Sequence, residues 1–257
     1  MLLAVDIGNS NIVIGCIEDD GEIVDIFRMK TDISKTDDEY AVNLDSILRI
    51  GGIDREKISG SIISSVVPPL TNLMRSVIRR LTGTTALVVG AGVKTGLNVM
   101  IENPASLGAD IVAGSVAAMT EYPLPVIVID MGTATTIVTV DQHGNYIGGA
   151  ILPGVAISMD ALSGGTSQLQ RVPIEAPKKC INGVTVDAMK SGAVFGTASM
   201  IDGMIDRFEE ELGTACSVVA TGGLAPMIIP HCKHPVICDE NLLLRGLAII
   251  YGKNRKK

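Results

Sequence analysis

The sequence predicts an α/β fold of two similar lobes with a central cleft, and three observations carry this. First, the chain has 257 residues, 47% hydrophobic and 19% charged, with 3% aromatics and no Trp. Its core must be aliphatic, and its Val/Ile-rich runs suit buried parallel strands. Second, that length accommodates two lobes of about 120 residues each. Third, the chain repeats itself. LLAVDIGNSNIVIGCIEDDG from Leu2 and VIVIDMGTATTIVTVDQHG from Val126 both read as strand, Asp-x-Gly, polar turn, strand and turn, with offsets agreeing to within one residue. The second copy starts near the midpoint of the chain, which places the lobes at 1–122 and 123–257.

The elements follow in order. Residues 2–7 form a short buried strand ending in an acid and a glycine. Asn11–Ile17 is a second strand, Asp19-Asp20-Gly21 a turn, and Glu22–Met29 a third strand, making an antiparallel meander. Residues 37–50 place Tyr40, Leu44, Ile47 and Leu48 on one helical face behind an acidic start. Ser61–Val67 is a strand stopped by Pro68-Pro69, Leu70–Leu81 a helix, Ala86–Val89 a strand and Ala105–Thr120 a helix. The second lobe begins with the strand 126–130. Thr135–Val140, a turn at His143-Gly144-Asn145 and a third strand into Gly148-Gly149 follow. Ser217–Ala220 is a further strand, running into the glycine turn Thr221-Gly222-Gly223.

A net charge of −7 gives no global field for nucleic acid or an anionic membrane surface. The basic run Lys253, Arg255, Lys256 and Lys257 reads as a solvated tail. Neither a secretory h-region nor a membrane-spanning run is expected. Five scattered cysteines in a chain of this size suit reduced thiols in a cytoplasm. His231, Cys232, His234 and Cys238 match no strong zinc spacing.

The chemistry concentrates in the two Asp-x-Gly turns. In Asp6-Ile7-Gly8-Asn9-Ser10-Asn11, a small polar turn between strands presents backbone N–H groups, and Gly8 permits close approach by phosphate oxygens. Asp6 at the strand end can hold Mg²⁺ or its waters. One such turn alone reads first as an ordinary hairpin turn with a buried Asp bonding its own loop; two facing one cleft reverse that in favour of ligand binding. The second copy, Asp130-Met131-Gly132-Thr133-Ala134-Thr135-Thr136, adds hydroxyls and a second candidate cation ligand, with Thr136 read as plain strand. Gly148–Gly154 (GGAILPG) can shape a cleft wall or make a plain turn. Asp110 stands in the first turn of its helix, where a carboxylate serves as a helix-terminal charge or as a general base during phosphoryl transfer.

Taken together, DIGNSN, DMGTAT, TGG at 221–223, KTGLN at 94–98, ENP at 102–104 and GGAILPG resemble the motifs of the type III pantothenate kinases, within the actin-like (ribonuclease H-like) ATPase and sugar-kinase superfamily. The resemblance covers nearly the whole chain. It implies ATP-dependent phosphorylation of the pantothenate hydroxyl, the first step of coenzyme A synthesis, by a homodimer with its acceptor site at the interface. It implies Mg²⁺ and a monovalent cation, K⁺ or NH₄⁺. By resemblance, Asp6, Ile7, Gly8, Asn9, Ser10, Asn11, Ile12 and Val13 bind the phosphates, with Asp6 also at the Mg²⁺. Asp130 holds the monovalent cation, Thr133 touches ATP, and Gly222 and Gly223 lie against the adenosine. Gly108, Ala109, Asp110 and Ile111 form the acceptor motif with Asp110 as proton acceptor. Thr185 reaches pantothenate in the partner subunit.

Two positions depart from the family pattern. The acceptor motif Gly-x-Asp-Arg ends here in Ile111, and the Tyr before ENP is Ile101. Both missing groups belong to the acceptor side. They leave open a cationic partner from elsewhere, weak pantothenate binding, another small alcohol or hydroxy acid as acceptor, or a nucleotide-binding regulator without catalysis.

Overall fold

The computed structural model describes residues 1–255, so Lys256 and Lys257 of the basic run lie outside the described residues. Along the chain the elements are β1 (Leu2–Ile7), β2 (Asn11–Ile17), β3 (Ile23–Lys30), α1 (Asp37–Ile50), β4 (Gly60–Ser65), α2 (Pro68–Thr82) and β5 (Leu87–Val88). Next come β6 (Asn98–Val99), α3 (Ala109–Glu121), β7 (Val126–Met131), β8 (Ala134–Val140), β9 (Asn145–Pro153), α4 (Val155–Gly164) and α5 (Thr185–Ser191). The chain closes with α6 (Thr197–Leu212), β10 (Ser217–Thr221), α7 (Ala225–Ile228), β11 (Ile237–Cys238) and α8 (Leu242–Asn254). Two compact units result. One comprises Met1–Leu97, Glu102–Ala117 and the chain from Leu242; the other comprises Asn98–Ile101 and Ala118–Asn241.

The first unit's sheet has the order β3-β2-β1-β4-β5, and the second's has β11-β10-β7-β8-β9-β6. Read from β9 to β11, the second repeats the first strand for strand. Three strands form an antiparallel meander, and two more continue the sheet in parallel. Only β6, parallel to β9 at the edge, is added. This is the duplicated actin-like architecture.

Burial explains why β1 and β7 read as unbroken apolar runs. Leu3, Val5 and Ile7 share a core with Tyr40, Leu44 and Leu48 of α1 and Leu70, Met74 and Ile78 of α2. The opposite face, Leu2 and Ala4, is also buried, with α8 packed against β1. In the second unit Ile127, Ile129 and Met131 pack with Val194, Ala198, Ile201 and Ile205. A strand covered on both faces has no room for alternation.

Most strand ends shift by one or two residues from the sequence reading, and three differences go further. Pro68 and Pro69 do end the strand, but they also open α2, because proline fits the first helical turn, where its missing N–H is not needed. The helix expected from Ala105 begins at Ala109. A 3-10 turn over Pro104–Ser106 precedes it. The stretch 148–153 extends β9, so GGAILP is strand rather than turn, and Gly154 caps α4.

In the first unit α3 and α8 touch through backbone. A Cβ built on Gly246 would lie 1.9 Å from the Ala113 carbonyl oxygen, so the two helices meet where one has no side chain. Overpacking of this kind costs about 1–3 kcal/mol or more. Gly246→Ala is therefore expected to lower the free energy of unfolding by at least that much in chemical denaturation. An unchanged denaturation midpoint would contradict the close packing.

Candidate active site

The first loop joins β1 to β2. The Gly8 N–H donates to the Asn11 carbonyl at 3.0 Å, closing the turn. Asn9, Ser10 and Asn11 are exposed, whereas Ile7 and Ile12 are fully buried. Of the stretch expected to meet phosphates, Ile7 and Ile12 thus offer only backbone. The Gly8 carbonyl accepts from Thr31 Oγ1 at 2.6 Å, and the Ser10 carbonyl accepts from the Thr31 N–H at 3.0 Å. The Asn9 and Asn11 amides donate to no acceptor within the loop. Free N–H groups on an exposed turn form an anion-binding concavity. Thr31 belongs to no motif read from the sequence. A Thr just past the end of β3 is its only signal.

The second loop joins β7 to β8 and is one residue tighter, with the Gly132 N–H donating to the Ala134 carbonyl at 3.1 Å. Two glycines from elsewhere in the second unit close on it. A Cβ on Gly154 would lie 2.3 Å from the Thr133 carbonyl oxygen, and one on Gly222 would lie 2.6 Å from Asp130 Oδ1. Gly222 also has φ +93°, a conformation L-residues avoid. Thr221 is the β10 register partner of Asp130. Asp130, Thr133, Gly154 and Gly222 therefore form one locus, with the exposed Gly223 beside it. Thr135 does not serve a ligand: it is only 1% exposed, because alternation in β8 turns it inward.

Asp110 is the second residue of α3. Its Oδ1 accepts the Ile111 N–H at 2.8 Å. The carboxylate folds back over Gly108, where a Cβ would lie 2.4 Å from Oδ1 and 3.7 Å from Val66 Cγ1. Val66 in turn donates its N–H to the Ile7 carbonyl at 3.0 Å, extending the β1–β4 pairing. Asp110 and Asp6 thus stand at the same end of the first sheet, the C-terminal ends of parallel strands, where α/β folds place ligands. Burial pushes the Asp110 carboxyl above its ordinary value, and the amides of Ile111 and of Asp110 itself pull against that shift. Ile111 and Ile101 are half-buried.

Thr185 is the first residue of α5 and lines an open groove of about 550 Å³ in the second unit. Val155, Met159 and Leu162 of α4 and Ala188 and Met189 of α5 make its walls. Cys232 Sγ lies 3.9 Å from the Ala198 carbonyl oxygen of α6. Asp202 accepts the backbone N–H groups of Lys233 and His234, and His234 pairs with Asp206 at 2.8 Å. Among the described residues no three His, Cys, Asp or Glu side chains are grouped to hold a metal ion.

Twin sheets of one topology, each with an Asp-x-Gly turn at the corresponding strand end, define the actin-like ATPase and sugar-kinase fold. A solved inorganic polyphosphate/ATP-glucomannokinase from Arthrobacter sp. strain KM shares it, with a TM-score of 0.52 over 99% of each chain at 13% identity. The family model for type III pantothenate kinase matches residues 2–207. The type III pantothenate kinase of Brevibacillus brevis is 42% identical over 255 residues, covering 99% of this chain and all 100% of the relative. That of Geobacter sulfurreducens is 41% identical over 256 residues, covering 100% of both. The chain belongs to the type III pantothenate kinase family.

A carboxyl whose pKa is raised in the folded state supports folding fully while protonated, below its unfolded value. It loses that contribution as pH rises through the folded value. Asp110→Asn is therefore expected to raise the thermal midpoint at neutral pH. The gain should shrink toward pH 3.8, the ordinary Asp value, as the wild type takes up its proton. A midpoint difference that does not vary with pH would refute the burial of a charged Asp110.

Proposed function

We propose that this protein transfers the γ-phosphoryl group of ATP to the hydroxyl of pantothenate, opening coenzyme A synthesis in the cytoplasm. The observation that carries this reading is the placement of Asp110, a desolvated carboxylate at the same sheet end as the Asp6 loop, in a chain that matches pantothenate kinases over its full length. Among the described residues no helix is long and apolar enough to cross a membrane.

Phosphoryl transfer asks chiefly for positioning and charge neutralisation. Residues Asp6 to Val13 hold the phosphates through the open turn, while Thr133, Gly222 and Gly223 contact the nucleotide. Asp110 orients the acceptor hydroxyl and takes its proton as the oxygen attacks the γ-phosphorus and ADP departs. A carboxyl with a raised pKa is the better base near neutral pH.

The donor sets suit the cations. Asp6 stands beside a turn of exposed amide and hydroxyl oxygens, a hard-oxygen set that fits Mg²⁺ keeping several waters. Asp6 would hold the Mg²⁺, whose charge would offset that of the transferring phosphates. Around Asp130, the absence of a Cβ at Gly154 and Gly222 lets their backbone close on the loop, beside the Asp130 carboxylate and the Gly132 and Thr133 carbonyls. One carboxylate and the neighbouring carbonyl oxygens suit a monovalent cation, K⁺ or NH₄⁺, which would supply further positive charge. The acceptor site is assigned to a homodimer interface, with Thr185 meeting the pantothenate bound to the partner. Exposed apolar Ile151, Ile157, Ile181 and Val184 in the same unit support such an interface.

The test is turnover of purified protein with ATP on pantothenate and on a panel of small alcohols and hydroxy acids, with and without K⁺. Pantothenate is expected to be the best acceptor, and K⁺ to raise the rate. Asp110→Asn should lower kcat by about 10²-fold or more, with KM for ATP unchanged. Faster turnover of another alcohol would replace the acceptor assignment. Full activity in the Asn variant would remove Asp110 as the base.

A further inference from the structure

Thr31 makes two hydrogen bonds to the Asp6 loop, and both go to carbonyls: Oγ1 to Gly8 at 2.6 Å and N–H to Ser10 at 3.0 Å. An unbroken antiparallel ladder would give the Gly8 carbonyl to the Asn11 amide, since the Gly8 N–H already donates to the Asn11 carbonyl. The Thr31 hydroxyl takes that place. The consequence is directional. With both carbonyls drawn toward Thr31, the Asn9 and Asn11 amides keep no acceptor in the loop and remain available to an anion.

Thr31 is itself held. The next residue, Asp32, donates its N–H to the Tyr40 hydroxyl at 2.9 Å and accepts from it through its carbonyl at 3.0 Å. Tyr40 is fully buried in the first core, on α1. Asp32 also accepts from Ser34 through N–H and hydroxyl, closing the turn that follows. A continuous path of hydrogen bonds thus runs from a rigid core side chain to the carbonyls of the loop.

We propose that Thr31 is the positioning residue of the nucleotide loop, its hydroxyl fixing the Gly8 carbonyl so that the loop amides present to the phosphates of ATP. It touches no reacting atom and acts through Gly8 and Ser10. This rests on the kinase reading above, specifically on the Asp6 loop receiving the phosphates.

Two variants separate positioning from plain stability. Thr31→Val removes the hydroxyl and keeps the branched shape and the N–H; Thr31→Ser keeps the hydroxyl. ATP binding is measured by calorimetry without acceptor, and KM for ATP and for pantothenate in turnover. Loss of one net hydrogen bond corresponds to about tenfold at most. The Val variant is expected to weaken ATP binding and raise KM for ATP about three- to tenfold, leaving KM for pantothenate unchanged. The Ser variant should restore ATP affinity to within about twofold of wild type. Equal ATP affinity in wild type and the Val variant would overturn the role of Thr31 while leaving the kinase reading intact. A loss that Ser does not rescue, or one shared equally by both substrates, would also overturn it. Wild-type protein that binds no ATP would remove both readings together.

Discussion

Double-sided burial of β1 and β7 is the constraint on which the rest of the structure depends. A strand covered on both faces can carry no unpaired charge along its length, because desolvating a carboxylate without a partner costs far more than one strand contributes. The polar chemistry is pushed to the strand end. Asp6 and Asp130 each occupy the half-exposed fifth place of a six-residue strand that is otherwise buried. Each is followed by a glycine turn that reverses the chain into the next strand. The sheet thus sets where a carboxylate stands, and the turn sets which backbone groups stand beside it.

The two copies hold their turns by different means. In the first unit one residue does so: Thr31 donates its hydroxyl to the Gly8 carbonyl and its backbone N–H to the Ser10 carbonyl. In the second unit backbone does so: Gly154 and Gly222 close directly on the loop, leaving no space for a Cβ at either place. The first turn keeps exposed amides and polar side chains, which suits the phosphate role proposed for it. The second is a tight locus holding the Asp130 carboxylate and the Gly132 and Thr133 carbonyls, which suits the cation role proposed for it. Duplication supplied one scaffold, and the packing around each turn differentiated it.

Much of this was legible in the sequence because it is local. Two Asp-x-Gly turns between apolar runs give strand, turn and strand without reference to the rest of the chain, and the register bears that out residue by residue. The start of α3 was not legible. Helical periodicity continues back to Ala105, while the boundary at Ala109 follows from a 3-10 turn and from Gly108 yielding space to the Asp110 carboxylate. GGAILP could be read as a cleft wall or as a plain turn, since glycine is poor in strands. It is strand because Gly149 lies against the β8 backbone, where a Cβ would come within 2.1 Å of the Ile137 carbonyl oxygen. Thr31 was invisible for a similar reason: its meaning comes from a residue 23 positions away.

On the proposed reading, Ile111 bears on the base, Asp110, as well as on the acceptor. In the family pattern an Arg follows the Asp, and a cation beside a carboxylate favours its charged form and lowers its pKa. Here the place is held by an apolar side chain. No cation contributes to the Asp110 shift; burial raises it and only backbone amides oppose it. Replacing Arg with Ile therefore acts twice. It removes a bidentate partner for a substrate carboxylate, and it leaves the neighbouring Asp a stronger base than it would be beside a guanidinium. The two effects oppose each other in the reaction, one weakening the hold on the acceptor and the other easing removal of its proton. On the proposed reading, with Asp110 as the base, this one position would shift catalytic burden from substrate charge recognition toward the basicity of Asp110.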